Sequence, residues 1–122
     1  EWATYLEKAA AGEADAFLLG WTGDNGDADN FLYVLLDQDN IGSNNYTYYE
    51  NQELHYLLIE AQTEVDEDAR NELYMQAQEI IHEDAPWVPL AHSTPLLAGG
   101  TNVIDFKAHP TGSDKLASVD LE

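Results

Sequence analysis

At 122 residues, with 44% hydrophobic and 11% aromatic residues, the chain can form the core of one domain or part of one, which argues against intrinsic disorder. Its 24 Asp and Glu face 4 Lys and Arg, for a formal net charge of −20, and a surface of that sign repels phosphate backbones and leaves no nucleic acid as a partner. Cysteine is absent, so disulfides and thiolate metal sites are excluded, and no apolar run approaches the roughly 20 residues that span a bilayer.

In chain order, Glu1 to Ala11 is rich in helix formers, sets Trp2, Tyr5, Leu6 and Ala9 on one side, and is ended by Gly12. A strand is expected over Ala14 to Leu19, its apolar end from Ala16 onward buried. Asp29 or Asn30 can then cap a short helix running to Leu36, largely buried because Phe31, Leu32, Val34, Leu35 and Leu36 leave little polar face. Gln38 to Tyr49, polar and rich in asparagine, reads as a long surface loop. Asn51 can cap a helix in which Leu54, Leu57, Leu58 and Ala61 fall on one face. Asp66 can cap another, with Ala69, Leu73, Ala77, Ile80 and Ile81 as its buried stripe and Glu67 and Asp68 at the positive end of its dipole. Pro86 ends that helix. Trp87 to Ala91 reads as a short edge strand carrying Pro89, and two more extended segments are expected at Val103 to Ala108 and Leu116 to Leu121. No internal repeat or low-complexity linker is present.

The acids are dispersed, with no block longer than Asp66 to Asp68, and the basic residues are Lys8, Arg70, Lys107 and Lys115. That pattern describes a solvated folded surface, not an acidic tail. Scarce lysine with dispersed acid suggests a halophilic protein, since at about 1 M salt the Debye length falls to about 3 Å and self-repulsion is screened. An acidic mesophilic protein is the alternative.

The richest segment is GWTGDNGDADNF, Gly20 to Phe31. Glycines at positions 20, 23 and 26 let the chain turn sharply and approach a ligand, and Asp24, Asp27 and Asp29 bring acceptors into the turn. A carboxylate beside an indole suits a small cationic group. This segment resembles the corresponding one of the dipeptide- and oligopeptide-binding proteins that serve ABC importers, the extracellular solute-binding proteins of family 5. RNELYMQAQEIIHEDAPWVPLAHST, Arg70 to Thr94, is similar to the late helix and proline-bounded strand of the same family. The resemblance implies an α/β fold, part of a type II periplasmic-binding-protein-like two-lobed architecture. Residues 1–92 would form the C-terminal portion of the second lobe and residues 93–122 the hinge crossing and a tail returning to the first.

The resemblance further implies that Asp24 pairs with the α-ammonium of a bound peptide, that Trp21 lines the pocket, and that Thr22 and Gly23 offer backbone groups to the peptide. Without it, Asp24 would read as a turn aspartate bonded to its own backbone, and Trp21 as a core residue. A buried carboxylate needs a partner, and an ammonium supplies charge and directed hydrogen bonds. The group for the peptide carboxylate would lie upstream, because Arg70 falls on a helix expected to be remote from the motif. Export, contact with an ABC permease, and membrane anchoring of the full-length protein rest on the resemblance alone. So does the expectation that this chain is a fragment which, lacking its partner lobe, self-associates.

Other chemistry is weakly signalled. Asp27, Asp29 and Asn30 alternate like a calcium loop, yet glycine is missing at its sixth position and glutamate at its twelfth, and helix capping is the simpler role. His55, His82, His92 and His109 have no zinc spacing and read as surface or interlobe hydrogen-bonders. Neither a GxSxG elbow nor a GxGxxG loop is present, so no catalytic residue, metal or cofactor is assigned. Asn45-Tyr46-Thr47 satisfies the glycosylation sequon in the expected loop. Two alternatives to peptide capture remain: a binding protein for another cationic solute such as a nickel complex, and a carboxylate- or metal-dependent hydrolase using Asp24 and Asp27. The charge makes one prediction: the melting temperature rises between about 0.1 M and about 2 M potassium chloride. A flat or falling value in thermal melts counts against halophilic adaptation.

Overall fold

The computed structural model describes residues 1–113 and 115–122. Four α-helices lead the chain: α1 (Trp2–Ala10), α2 (Asp29–Leu36), α3 (Gln52–Thr63) and α4 (Glu67–Asp84). A 3-10 turn at Gln38–Asn40 follows α2, and two short strands, β1 (Val103–Ile104) and β2 (Asp120–Leu121), pair antiparallel with Val103 opposite Leu121.

Local chemistry starts the two longest helices where expected. The side chain of Asn51 accepts from the amides of Glu53 and Leu54 to begin α3, and that of Asp66 accepts from Ala69 to begin α4. Gly12 ends α1 with φ +66, and any side chain there would press on the Tyr48 ring. At the end of α4, Ala85 takes a left-handed φ of 48 and Pro86 forbids another turn.

The core lies between α3 and α4, with the end of α2 packed against α3. Leu36 of α2, Leu54, Leu58 and Ala61 of α3, and Tyr74 and Ala77 of α4 are buried together. Leu57, Leu73, Ile80 and Ile81 flank this cluster, but Ala69 faces solvent and Tyr74 takes the place expected for it. The α2 helix is less enclosed than its composition suggests: Leu35 and Leu36 are buried, Leu32 and Val34 only partly, and Phe31 is exposed.

The expected strands at Ala14 to Leu19 and Trp87 to Ala91 do not form, and Leu18 is 72% exposed. A strand requires a ladder partner, and none runs beside either segment among the described residues. The Tyr5 hydroxyl takes both backbone groups of Leu18 instead, donating to its carbonyl at 2.6 Å and accepting from its amide at 3.1 Å. The two later extended segments shrink to β1 and β2.

Gln38 to Tyr49 is also more than a surface loop. Asn45 is fully buried, and its amide nitrogen donates to the carbonyls of Leu36, Asp37 and Tyr49 at 2.8–3.2 Å. That amide closes the loop onto the end of α2 and cannot accept a glycan in the folded chain. A second tie joins the start of α3 to the end of α4. The Tyr49 hydroxyl and the Asn51 amide both donate to Asp84 Oδ2, at 2.6 and 2.9 Å. Burial, then the neighbouring Asp84 carboxylate, pushes the Tyr49 phenol well above its usual range, while the two donors hold the Asp84 carboxyl below its own.

Candidate functional site

The turn from Gly20 to Phe31 sits between the extended segment after α1 and the first turn of α2, and it is organised from within. Asn30, in that first turn, accepts at Oδ1 from the Trp21 indole Nε1–H and from the Asp24 amide, both at 3.0 Å. Its Nδ2 lies 3.5 Å from Asp24 Oδ2. Asn25 accepts from the Asp27 amide, and Asp27 from the Asp29 amide, so the loop carries two successive Asx turns. Asp27, not Asp29 or Asn30, therefore caps α2: its side chain serves Asp29, its carbonyl serves the Asn30 amide, and the formal cap position is Ala28, with no side-chain bond. Asp27 wins because it alone precedes the first free amides of the helix.

Arg70, expected to be remote, reaches this turn. Its guanidinium makes a two-pronged bond with Asp27, both contacts at 2.9 Å, while Nε donates to the Ala61 carbonyl at 2.8 Å and Nη2 to the Tyr74 hydroxyl at 2.8 Å. The expectation failed because the α3–α4 hairpin brings the start of α4 back past Ala61 at the end of α3, from where the long Arg70 side chain reaches the turn before α2, a proximity that sequence distance does not carry. Hydrogen bonding from Arg70 holds the Asp27 carboxyl below the usual carboxylate range and raises the guanidinium further. About a third of each side chain stays in solvent, 30% for Arg70 and 33% for Asp27, so screening tempers the pair. Asp29 is likewise engaged, accepting from Gln62 of α3 at 2.8 Å. With Asp27 and Asp29 committed to protein donors, the calcium-loop alternation is a helix start.

Of the four residues assigned to a ligand, Asp24 and Trp21 are brought together through Asn30. Asp24 is exposed, not buried as a pre-formed ion site would have it, and among the described residues its Oδ1 accepts no hydrogen bond. Trp21 is 38% exposed, neither core nor free, and it borders a hollow of about 260 Å³ walled by Trp2, Leu6, Leu19, Leu35 and Tyr46. Thr22 is exposed, and a Cβ built at Gly112 would come within 3.9 Å of its methyl group. A Cβ at Gly23 would meet the Phe31 ring at 2.6 Å, so the missing side chain makes room for Phe31.

Another polar group gathers Asp37, Asp39 and His55, whose ligating atoms lie within 4.8 Å of one another. His55 Nδ1 is 3.0 Å from the buried Asp37 Oδ2, and since a carboxylate only accepts, that nitrogen carries the proton. Asp37 also accepts from the Asp39 amide and begins the 3-10 turn. Each of its oxygens thus accepts from a structural donor, Oδ1 from the Asp39 amide and Oδ2 from His55. His55 is the partner of an interior carboxylate, 18 residues away, which histidine spacing could not reveal.

Comparison with known proteins places this geometry. No protein-family model matches the chain. It is 42% identical over all 122 residues to heme-binding protein A of Haemophilus influenzae, of which it covers 22%. Over 74% of its length it is 42% identical to the ABC transporter-associated periplasmic binding protein DppA of Helicobacter pylori, solved with the peptide STSA, covering 18% of that chain with a TM-score of 0.70. Over its whole length it superposes with a TM-score of 0.87 and 31% identity on a dipeptide-binding protein of Pseudoalteromonas sp. SM9913 in complex with Met-Leu, covering 24% of that chain. This is part of an α/β two-lobed periplasmic-binding fold. The fold class expected from the sequence is borne out, and the homologues are peptide- and heme-binding proteins of which the chain spans about a fifth.

The Asp27–Arg70 pair predicts an acid-sensitive contribution. Because the folded carboxyl titrates below its unfolded value of about 4, the contribution is complete above that pH and disappears as the pH falls through the depressed value. Urea unfolding should show Asp27→Asn less stable than the parent at pH 7, with the gap closing toward pH 2. A gap independent of pH would mean that the ionised pair adds nothing.

Proposed function

We propose that this chain is part of the solute-binding component of an ABC importer, which captures small peptides, dipeptides foremost, outside the cell and presents them to a membrane permease. The observation that carries this reading is the superposition of the whole chain on a dipeptide-binding protein holding Met-Leu, with Asp24 turned outward on a turn fixed by Asn30. Asp24 is assigned to the peptide ammonium, Trp21 to an apolar wall beside it, and Thr22 to backbone contact. Gly23, which also makes room for Phe31, is assigned with Thr22 to backbone contact. Binding without chemical conversion fits homologues that are binding proteins. An extracellular or periplasmic setting follows the same relatives, an anchor in the full-length protein is proposed from the family resemblance alone, and none of the described helices is long and apolar enough to cross a membrane. Residues 1–92 are assigned to the second lobe and 93–122 to the crossing and return. High-salt adaptation is proposed from the −20 charge.

A second reading, capture of heme, is favoured by the identity with heme-binding protein A. Calorimetry on the longer protein that contains this chain separates the two. Dipeptide should bind, hemin should not compete, and Asp24→Ala should weaken the dipeptide more than about tenfold while Glu79→Ala, on the exposed face of α4, changes little. Tight hemin binding without peptide binding would reverse the order of the readings. Equal dipeptide affinity in the Asp24 variant would sink the role given to Asp24.

Self-association of the 122-residue chain is also proposed. Leu18, Val88, Leu90, Leu96 and Leu97 are large apolar side chains open to solvent on segments with no ladder partner among the described residues. Light scattering in high salt should therefore report a dimer or larger species, and a compact monomer would refute it.

A further inference from the structure

The side chain of Asn30 stands where the two side chains assigned to the ligand meet. One oxygen accepts from the indole of Trp21 and from the amide of Asp24, which uses both of its lone pairs, while the nitrogen of the same planar group lies beside Asp24 Oδ2. No other short side chain offers that set. Aspartate keeps the two acceptor contacts but sets a second negative charge against Asp24, serine has one oxygen on a shorter stem, and alanine offers nothing. Asn30 is itself held, because it lies in the first turn of α2, whose start is capped by Asp27 and pinned to α4 through Arg70. The line of contacts runs from the helical hairpin to the turn, and it leaves Asp24 Oδ1 without a donor among the described residues.

We infer that Asn30 is the positioning residue of this site: it fixes the indole of Trp21 and the backbone of Asp24 in one arrangement, so that the free carboxylate oxygen is presented beside an aromatic wall before any ligand arrives. This rests on the reading that Asp24 and Trp21 meet a ligand. A group ordered in advance loses less freedom on binding, and the gain appears as affinity. Asn30 touches no ligand in this scheme and acts through its two neighbours.

The test has a ligand-free arm and a binding arm. The chain has 3 tryptophans, so the indole proton of Trp21 is resolvable by NMR from those of Trp2 and Trp87. In Asn30→Ala the Trp21 indole proton and the Asp24 amide should exchange about tenfold faster or more, while the Leu58 amide in the core keeps its rate. Asn30→Asp retains the acceptor and should keep both protons protected, so their release in that variant overturns the inference. In the longer protein, Asn30→Ala should weaken dipeptide binding about tenfold beside the parent. Unchanged exchange in Asn30→Ala overturns the inference, as does faster exchange with unchanged affinity while Asp24→Ala still weakens binding. If Asp24→Ala itself binds as the parent does, the peptide reading falls and takes the role of Asn30 with it. That failure is recognisable because the exchange rates still respond as expected.

Discussion

The guanidinium of Arg70 is the contact on which the arrangement of this chain turns. Its Nε meets the Ala61 carbonyl, one of the groups that the last turn of α3 leaves without an intrahelical donor. Its fork closes on the Asp27 carboxylate, which at the same time starts α2, and Nη2 donates to Tyr74 inside the core. One planar cation thereby satisfies the end of one helix, the cap of another and a buried phenol on a third. Lysine could supply the charge but not the geometry, since an ammonium cannot grip both carboxylate oxygens along a fixed plane. Among the described residues the other ion pair involving a full cation, Lys8 with Glu13 at 3.9 Å, lies in open solvent and contributes little by comparison.

So few cations among so many acids give this contact added weight. Most of the carboxylates have no cationic partner and must be accommodated by dispersion over the surface, by helix N-termini and by neutral donors. Asp66 caps α4, Asp29 takes the amide of Gln62, and Asp84 is held by Tyr49 and Asn51 at the end of α4, where the helix dipole alone would disfavour it. Hydrogen bonds from neutral donors to these carboxylates survive high salt better than exposed ion pairs, which screening weakens.

The turn bearing Asp24 is stiff for physical reasons that glycine content alone would not suggest. Gly23 is small because Phe31 lies against it, the Asx turns at Asn25 and Asp27 satisfy its amides, and Asn30 draws its two ends together. A carboxylate on such a turn keeps its place without being buried. It avoids the desolvation cost of an interior charge.

Short-range chemistry is legible in the sequence by itself. The starts of α3 and α4 at Asn51 and Asp66, the stop at Gly12, the break at Pro86 and the apolar face of α3 all depend on residues within one or two turns, and each falls where local chemistry puts it. The motif from Gly20 to Phe31 reaches the α/β two-lobed fold only through its resemblance to the family's segment; its spacing alone describes a local turn. Contacts between distant residues are decided only by the tertiary structure. Arg70 and Asp27 are 43 residues apart, Tyr49 and Asp84 are 35, and nothing in their local sequence marks either pair. Asn45 reads as loop surface because asparagine usually is, yet three carbonyls need an interior donor. The strands expected at Ala14 to Leu19 and Trp87 to Ala91 fail for the complementary reason. Alternation and apolarity make a segment fit to be a strand, but only a neighbour with free backbone groups turns it into one.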